Sequence, residues 1–418
     1  MLHNIYTTQS ALNASNLKVI YQKYNGPVWV YEAEIIINRI KQLQQFDVIR
    51  FAQKACSNIH ILRLMKYNGV KVDAVSLGEI ERALLAGFQS QDDDEIVFTA
   101  DILELLTLSK IVEFKIPVNA GSIDMLNQLG KCSPGHRVWL RINPGFGHGH
   151  HQKTSTGGVN SKHGIWYKDL SRAIECVRRY DLHLVGLHMH IGSGVNYEHL
   201  SKVCDAMVEQ ALTCGEDFTA ISAGGGISVP YDIIDQSVNI KHYFSLWDAA
   251  RQQISQYLEH PIALEIEPGR FIMAESGVLI SQVRAVKSIG RRYFVLVDVG
   301  FNDFVRPVLY GSYHRISLLP ADDRDIFAGP FYDTVIGGPI CESGDVFTQD
   351  SEGKILPRKL PEVKVGDYLI FHDTGAYGSS MSSNYNSRPL LPEVLFEGGK
   401  VREIRRRQLM QELFVLEE

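Results

Sequence analysis

Long apolar runs are missing from this sequence. None approaches the roughly 18 residues that a bilayer-spanning helix needs, so no membrane-crossing segment is expected. The cysteines are few and scattered. Cys56, Cys132, Cys176, Cys204, Cys214 and Cys341 include no Cys-x-x-Cys pair, which speaks against a disulfide framework or a zinc site and suits a reducing cytoplasm. Excess positive charge is absent too. A net charge of -6 gives no reason to expect nucleic acid or an anionic membrane as a partner. The opening residues, Met1 to Thr8, carry no basic stretch followed by an apolar core, so no secretory signal is expected and the protein is read as cytoplasmic. Low-complexity segments and internal repeats beyond a strand–helix period are likewise absent.

What remains is an ordinary globular composition, 45% hydrophobic and 22% charged, in a chain of 418 residues. That length suits one large domain and one smaller one. A strand-then-helix pattern repeats eight times. Strands are expected at 47–53, 70–75, 95–99, 116–119, 137–143, 183–190, 218–223 and 262–267, with helices between them marked by 3.6-residue periodicity, Ser or Asn caps and closing glycines. Ser76 followed by Glu79 has capping-box spacing. A Gly/His-rich loop, 144–164, interrupts the alternation, and a helix is expected at 170–179. Eight such units over about 220 residues have the count and size of a (β/α)8 barrel. After about residue 275 the sequence becomes turn-rich and β-rich. We therefore expect a barrel over 30–275 and a second, discontinuous β domain from 1–29 and 276–418, with the early strand near 28–31 joining it.

Function in such barrels gathers at the carboxyl ends of the strands. Here those ends read Lys54, Ser76, Thr99, Asn119, Asn143, His190, Gly224 to Gly226, and Glu267, all polar or glycine. Lys54 is the most informative. By period-two alternation it falls with Val48 and Ala52 on one side of its strand, facing the interior, where a lysine needs something to pair or react with it. Gly224-Gly-Gly226 follows the seventh strand, the usual place for a phosphate cradle of backbone N–H groups. Glu267-Pro-Gly269-Arg270 follows the eighth. His188 and His190 end the sixth; zinc there would need further ligands, which the loop histidines His148, His150 and His151 could supply, but His-Gly repeats in a long loop more often serve no metal, so no metal is expected. Cys341-Glu342 lies in a glycine-flanked loop of the β domain, where a thiol can act as an acid or nucleophile. Arg306, four residues before Tyr310, and the loop around Tyr377 are further polar clusters. A barrel-end lysine, a phosphate cradle and a strand-eight carboxylate together suggest pyridoxal 5'-phosphate, with Lys54 as Schiff-base former and Glu267 keeping the pyridine nitrogen protonated.

Six motifs, in order, carry a resemblance: Lys54-Ala-Cys-Ser-Asn, His188-Met-His-Ile-Gly-Ser, Gly224-Gly-Gly, Glu267-Pro-Gly-Arg, Cys341-Glu-Ser-Gly-Asp and Asp373-Thr-Gly-Ala-Tyr-Gly. With them the chain resembles the bacterial diaminopimelate decarboxylases over essentially its whole length. That resemblance implies an alanine-racemase-like barrel with a β domain, a head-to-tail homodimer, and production of L-lysine and carbon dioxide from meso-2,6-diaminopimelate. It implies that Lys54 carries the cofactor and His190 stacks on it. Ser193, Gly226 and the Glu267, Gly269 and Arg270 segment would hold the phosphate and the pyridine nitrogen. Arg270, Arg306 and Tyr310 would bind substrate, and Tyr377 would touch both substrate and cofactor. Cys341 would donate the proton and Glu342 would bind the distal ammonium, both from the partner subunit. Two departures are visible: Cys56 and Ser57 intervene where many members run from Lys-Ala straight to Asn, and Gly194 stands where many have glutamine. The rival readings are a related decarboxylase of a basic amino acid or a carboxylated polyamine, and a catalytically silent protein that keeps the fold.

Overall fold

In the computed structural model the described residues are 14–90, 94–147, 157–190, 192, 194–322 and 324–418. They form two compact units. One comprises 39–229 and 237–271; the other takes the remaining described residues, among them 14–38, 230–236 and the stretch from 272 to the end.

The first unit is a closed parallel barrel of eight strands: Val48–Ala52, Lys71–Ala74, Ile96–Ala100, Val118–Ala120, Arg137–Asn143, His183–His188, Ala220–Ser222 and Ala263–Ile266. The last pairs in parallel with the first, with Glu265 opposite Val48, which closes the ring. Helices follow the strands and start where their caps say. Asn58 accepts a hydrogen bond from His60 N before Ile59–Tyr67. Ser76 accepts one from Glu79 N before Leu77–Ala86, and Glu79 reaches back to accept from Val75 N, at 2.8 Å, not from the Ser76 N–H of a strict capping box. Gly87 ends that helix at φ +98°, a conformation that glycine adopts without strain. The expected helix at 170–179 is present as Leu170–Arg179.

The second unit is a mostly antiparallel sheet. Val28–Glu32 lies inside it, antiparallel to the long strand Gly277–Ile289 and parallel to Glu393–Glu397. All five residues of Val28–Glu32 are buried, so this early segment is a central strand. The long strand is irregular between Val283 and Ala285. Before that point it pairs with Tyr368–Phe371, and around and beyond it with Arg292–Val297. The core includes Leu17, Ile20, Tyr21, Val28, Val30, Ile280, Tyr368 and Val394.

His372, just past Tyr368–Phe371, is buried in this core, with its Nε2 2.7 Å from Ser317 Oγ. Burial first, and the nearby Arg315 charge second, push its pKa down to about 3. The unfolded chain takes up this proton near pH 6.5, whereas the fold refuses it until about pH 3. Stability is therefore unaffected by this group above about pH 6.5 and falls as pH drops through that window, by at most about 1.4 kcal/mol per pH unit. Urea unfolding at pH 7.5 and 5.5 should show a smaller acid loss in His372→Asn than in the wild type, by on the order of 1 kcal/mol. Equal losses in the two proteins would contradict this assignment.

Candidate active site

Lys54 lies beyond the end of its strand and is not buried. The strand stops at Ala52, and Gln53–Ala55 form a single 3-10 turn, with Gln53 and Ala55 buried and Lys54 exposed. The turn breaks the period-two alternation, so the expectation of a lysine buried on the strand's inner side is corrected: Lys54 is exposed at the strand's carboxyl end, where its charge acts on buried Asp73, Glu267 and His190. The inward side of the strand also holds more than small apolar groups. Arg50 is buried there and pairs with buried Glu265 at 2.5 Å, and also donates to Asp94 O at 2.6 Å. A charge this deep persists only when paired and hydrogen-bonded.

The eighth strand delivers Glu267, which is 6% exposed. His188 Nε2 lies 2.8 Å from Glu267 Oε2, and Ser222 Oγ donates to Oε1 at 3.3 Å. Burial alone drives a carboxyl upward. Here the His188 charge, its hydrogen bond, Arg141 and Lys54 outweigh burial and hold Glu267 well below the usual carboxylate range. The site thus contains a buried carboxylate that stays ionised. Asp73, at the end of the second strand, goes the other way. Burial, then the neighbouring Glu267 charge, push it up to about 8 against Lys54 and a hydrogen bond from Thr99. Two carboxyls in one site with opposite preferences are a mark of functional electrostatics.

Glycines set the close approaches. Gly224 and Gly226 have φ +58° and +100°. A Cβ on Gly225 would stand 2.6 Å from Glu267 O and 3.3 Å from His190 Nε2, so only glycine lets this loop lie against both. A Cβ on Gly269 would stand 3.0 Å from Ala52 O and 3.1 Å from Ala55 Cβ, which is how the segment after Glu267 packs on the lysine's own turn. Arg270 is half-buried at the start of the short helix Arg270–Met273. His190 Nδ1 accepts from Gly192 N at 2.9 Å, which leaves the proton on Nε2. Burial, followed by the charges of Arg141 and Lys54, keeps that ring neutral. Ser193 and the histidines His148, His150 and His151 lie outside the described residues.

Sequence reasoning missed Arg141 and Asp101, and had Asn143 only as a polar strand end. Arg141, buried on the fifth strand, acts electrostatically on both Glu267 and His190. Asn143 pins both ends of the Gly/His-rich loop: its Oδ1 accepts from Gly145 N and Gly158 N, and its Nδ2 donates to His163 O. Asp101 pairs with His163 at 2.7 Å. Arg141 and Asn143 alternate along one strand, and that spacing was the signal available.

The remaining candidates sit in the sheet unit. Arg306 is buried at the start of the helix Arg306–Tyr310. Its guanidinium lies 5.6 Å from the Tyr231 ring, 5.9 Å from Tyr310 and 5.7 Å from Tyr377. Arg306 Nε donates to His314 Nε2 at 3.4 Å. Arg306, Tyr310 and Tyr377 are thus brought together, as residues 71 positions apart in the chain, 306 and 377, would not advertise. Tyr377 has φ +57°, rare for an aromatic residue and typical of strained functional positions. Its loop is fixed by Gly375, where a Cβ would stand 2.0 Å from Met273 O. Cys341 and Glu342 are exposed in a loop held from below by Asp345, whose carboxylate accepts from Ile340 N and Phe301 N, both at 2.8 Å.

The residues present fit pyridoxal 5'-phosphate. Asp73 Oδ1, Asn119 Oδ1 and His188 Nδ1 are buried without a hydrogen-bond partner among the described residues, so the barrel end has polar capacity to spare. Glu267 offers a negative charge suited to a pyridinium, and the positive-φ glycines provide a cradle that a side chain would fill.

Comparison with known proteins agrees. The sequence model described as "Pyridoxal-dependent decarboxylase, pyridoxal binding domain" matches residues 33–274. Diaminopimelate decarboxylase of Escherichia coli (strain K12) is 63% identical over 418 residues, covering 100% of both chains. A solved structure titled as diaminopimelate decarboxylase superposes with a TM-score of 0.96 at 63% identity, covering 99% of this chain and 98% of that one. The Helicobacter pylori enzyme complexed with L-lysine gives 0.82 at 32% identity, covering 96% and 99%.

Proposed function

The chain belongs to the pyridoxal-dependent decarboxylases, in their diaminopimelate decarboxylase branch, and on that premise we propose how its own residues convert meso-2,6-diaminopimelate to L-lysine and carbon dioxide. The observation that carries the reading is Glu267, buried and yet held ionised by His188, beside the glycine loop and the lysine turn. Bound pyridoxal 5'-phosphate supplies an electron sink for the pair left behind when a carboxylate departs.

Lys54 is the covalent attachment point. Its exposed position at the barrel mouth leaves it accessible to both cofactor and substrate amine. Glu267, ionised and buried, would pair with the cofactor's ring nitrogen and keep it protonated. Neutral His190, fixed in one tautomer by Gly192, offers a flat uncharged face for stacking. Gly226, Ser193, Gly269 and Arg270 supply the phosphate site. Arg270, Arg306, Tyr310 and Tyr377 hold the substrate's far carboxylate, for which a guanidinium's fork is suited, and Glu342 holds the far ammonium. Holding both ends of the far amino-acid group selects diaminopimelate over arginine, ornithine or a carboxylated polyamine. Cys341 delivers the proton that replaces the lost carboxylate. Cys341 and Glu342 act in the partner's site of a head-to-tail homodimer, in the cytoplasm.

The test is release of carbon dioxide from the cofactor-loaded enzyme offered diaminopimelate, lysine, arginine and ornithine in turn. Release from diaminopimelate alone, at least about 10³-fold faster than from the others, is expected when the groups that pair with its far carboxylate and ammonium must otherwise go unpaired. Comparable release from arginine or ornithine would contradict the specificity assigned to Arg270, Arg306 and Glu342.

A further inference from the structure

The short turn Tyr385–Ser387 does two things at once. Asn386 Oδ1 accepts from the backbone N–H of Cys341 at 2.9 Å. Its neighbour Tyr385 donates its hydroxyl to Glu342 Oε2 at 3.2 Å. One turn therefore holds both members of the Cys341-Glu342 pair, one by main chain and the other by side chain.

The turn is itself held. Tyr385 stacks on Phe301, ring centroids 5.5 Å apart and planes 24° from parallel. Phe301 N donates to Asp345, which also accepts from Ile340 N. Ser383 N donates to Asn302 O at 2.8 Å, and Ser382 Oγ to Asp303 O at 2.9 Å. Contacts thus run in a ring from Cys341 through Asn386, Tyr385, Phe301 and Asp345 back to Ile340. The backbone bends to make this possible. Asn386 and Ser387 stand at φ +54° and +52°, two consecutive non-glycine residues in the left-handed region. Asparagine tolerates that region better than most residues, and serine does so less readily. Such geometry persists where its surroundings fix it.

We propose that Asn386 and Tyr385 are positioning residues for the decarboxylation: Asn386 sets the placement of Cys341 through its N–H, and Tyr385 aims the Glu342 carboxylate. This rests on the roles assigned above to Cys341 as proton donor and Glu342 as ammonium partner. Proton delivery depends steeply on donor placement, so loosening Cys341 lowers kcat while substrate binding is kept. Loosening Glu342 weakens binding of the far ammonium, so KM rises.

Steady-state kinetics of the cofactor-loaded enzyme with diaminopimelate separate these effects. Asn386→Gly keeps the left-handed backbone and removes the acceptor. Its kcat should fall about tenfold, the cost of about one hydrogen bond, with KM within about twofold of the wild type. Asn386→Asp keeps an acceptor oxygen and should recover most of the loss. In a Cys341→Ala background, Asn386→Gly should cost nothing more, because the group it places is gone. Tyr385→Phe should raise KM about threefold with kcat held, and should have no effect in a Glu342→Ala background, which removes the acceptor. Equal losses from Asn386→Gly with and without Cys341, or equal losses for the Gly and Asp variants, would reduce the turn to a structural element. Cys341→Ala turning over at the wild-type rate would instead overturn the acid role itself, and this inference with it.

Discussion

Lys54→Ala should fold normally and release no carbon dioxide above background. Its structural cost is small because the side chain is exposed and the turn is anchored by its buried neighbours Gln53 and Ala55. Melting temperature should shift by no more than about 2 °C. The chemical cost is large for two reasons. On the role proposed for Lys54, the chain loses the amine that would bind the cofactor covalently and exchange with the substrate's amine. The barrel end also loses a positive charge that favours ionised Glu267 and opposes the upward push on Asp73. Lys54→Arg restores charge without the nucleophile, so it should keep the electrostatics and remain inactive. Activity in Lys54→Arg would mean that charge, not covalent attachment, is what the position supplies.

Cys341→Ala should behave differently. The cofactor stays bound, because Cys341 lies outside the barrel strands and their loops. Loss of a positioned proton donor costs about 10²–10⁴-fold in turnover. KM should change little, since substrate binding is assigned to other groups. Absorbance of the bound cofactor, kcat and KM together decide the matter. A wild-type kcat would remove the thiol from the reaction, and a lost cofactor band would assign it a structural role.

How much of this was legible in the sequence depends on the range of the interaction. Local chemistry was readable: Asn58 and Ser76 cap helices, Gly87 ends one, and Leu170–Arg179 follows from its apolar spacing. The eight-fold alternation predicted the barrel, because each strand–helix unit writes its period into about 25 residues. The lysine's burial was misread at short range. Period-two reasoning holds only while the chain stays extended, and the 3-10 turn at Gln53 ends that extension one residue early. The glycine loop after the seventh strand was expected by position, and the reason for its glycines, contact with Glu267 O and His190, appears only in three dimensions. Long-range pairs were invisible. Arg50 meets Glu265, 215 positions away, and His188 meets Glu267, 79 away; no local pattern marks either. Asp73 looked like an ordinary strand residue until burial beside Glu267 gave it its unusual proton affinity. Asn386 and Tyr385 were missed for the same reason, being 45 and 43 positions from the residues they hold.

The most direct measurement is borohydride reduction of the cofactor-loaded wild-type protein, followed by proteolysis and mass mapping of the labelled peptide. The label should fall on Lys54 alone and at one equivalent per chain. A label on another lysine, or a protein that binds the cofactor and decarboxylates diaminopimelate yet traps none of it at position 54, would contradict the covalent role on which the rest of the site is built.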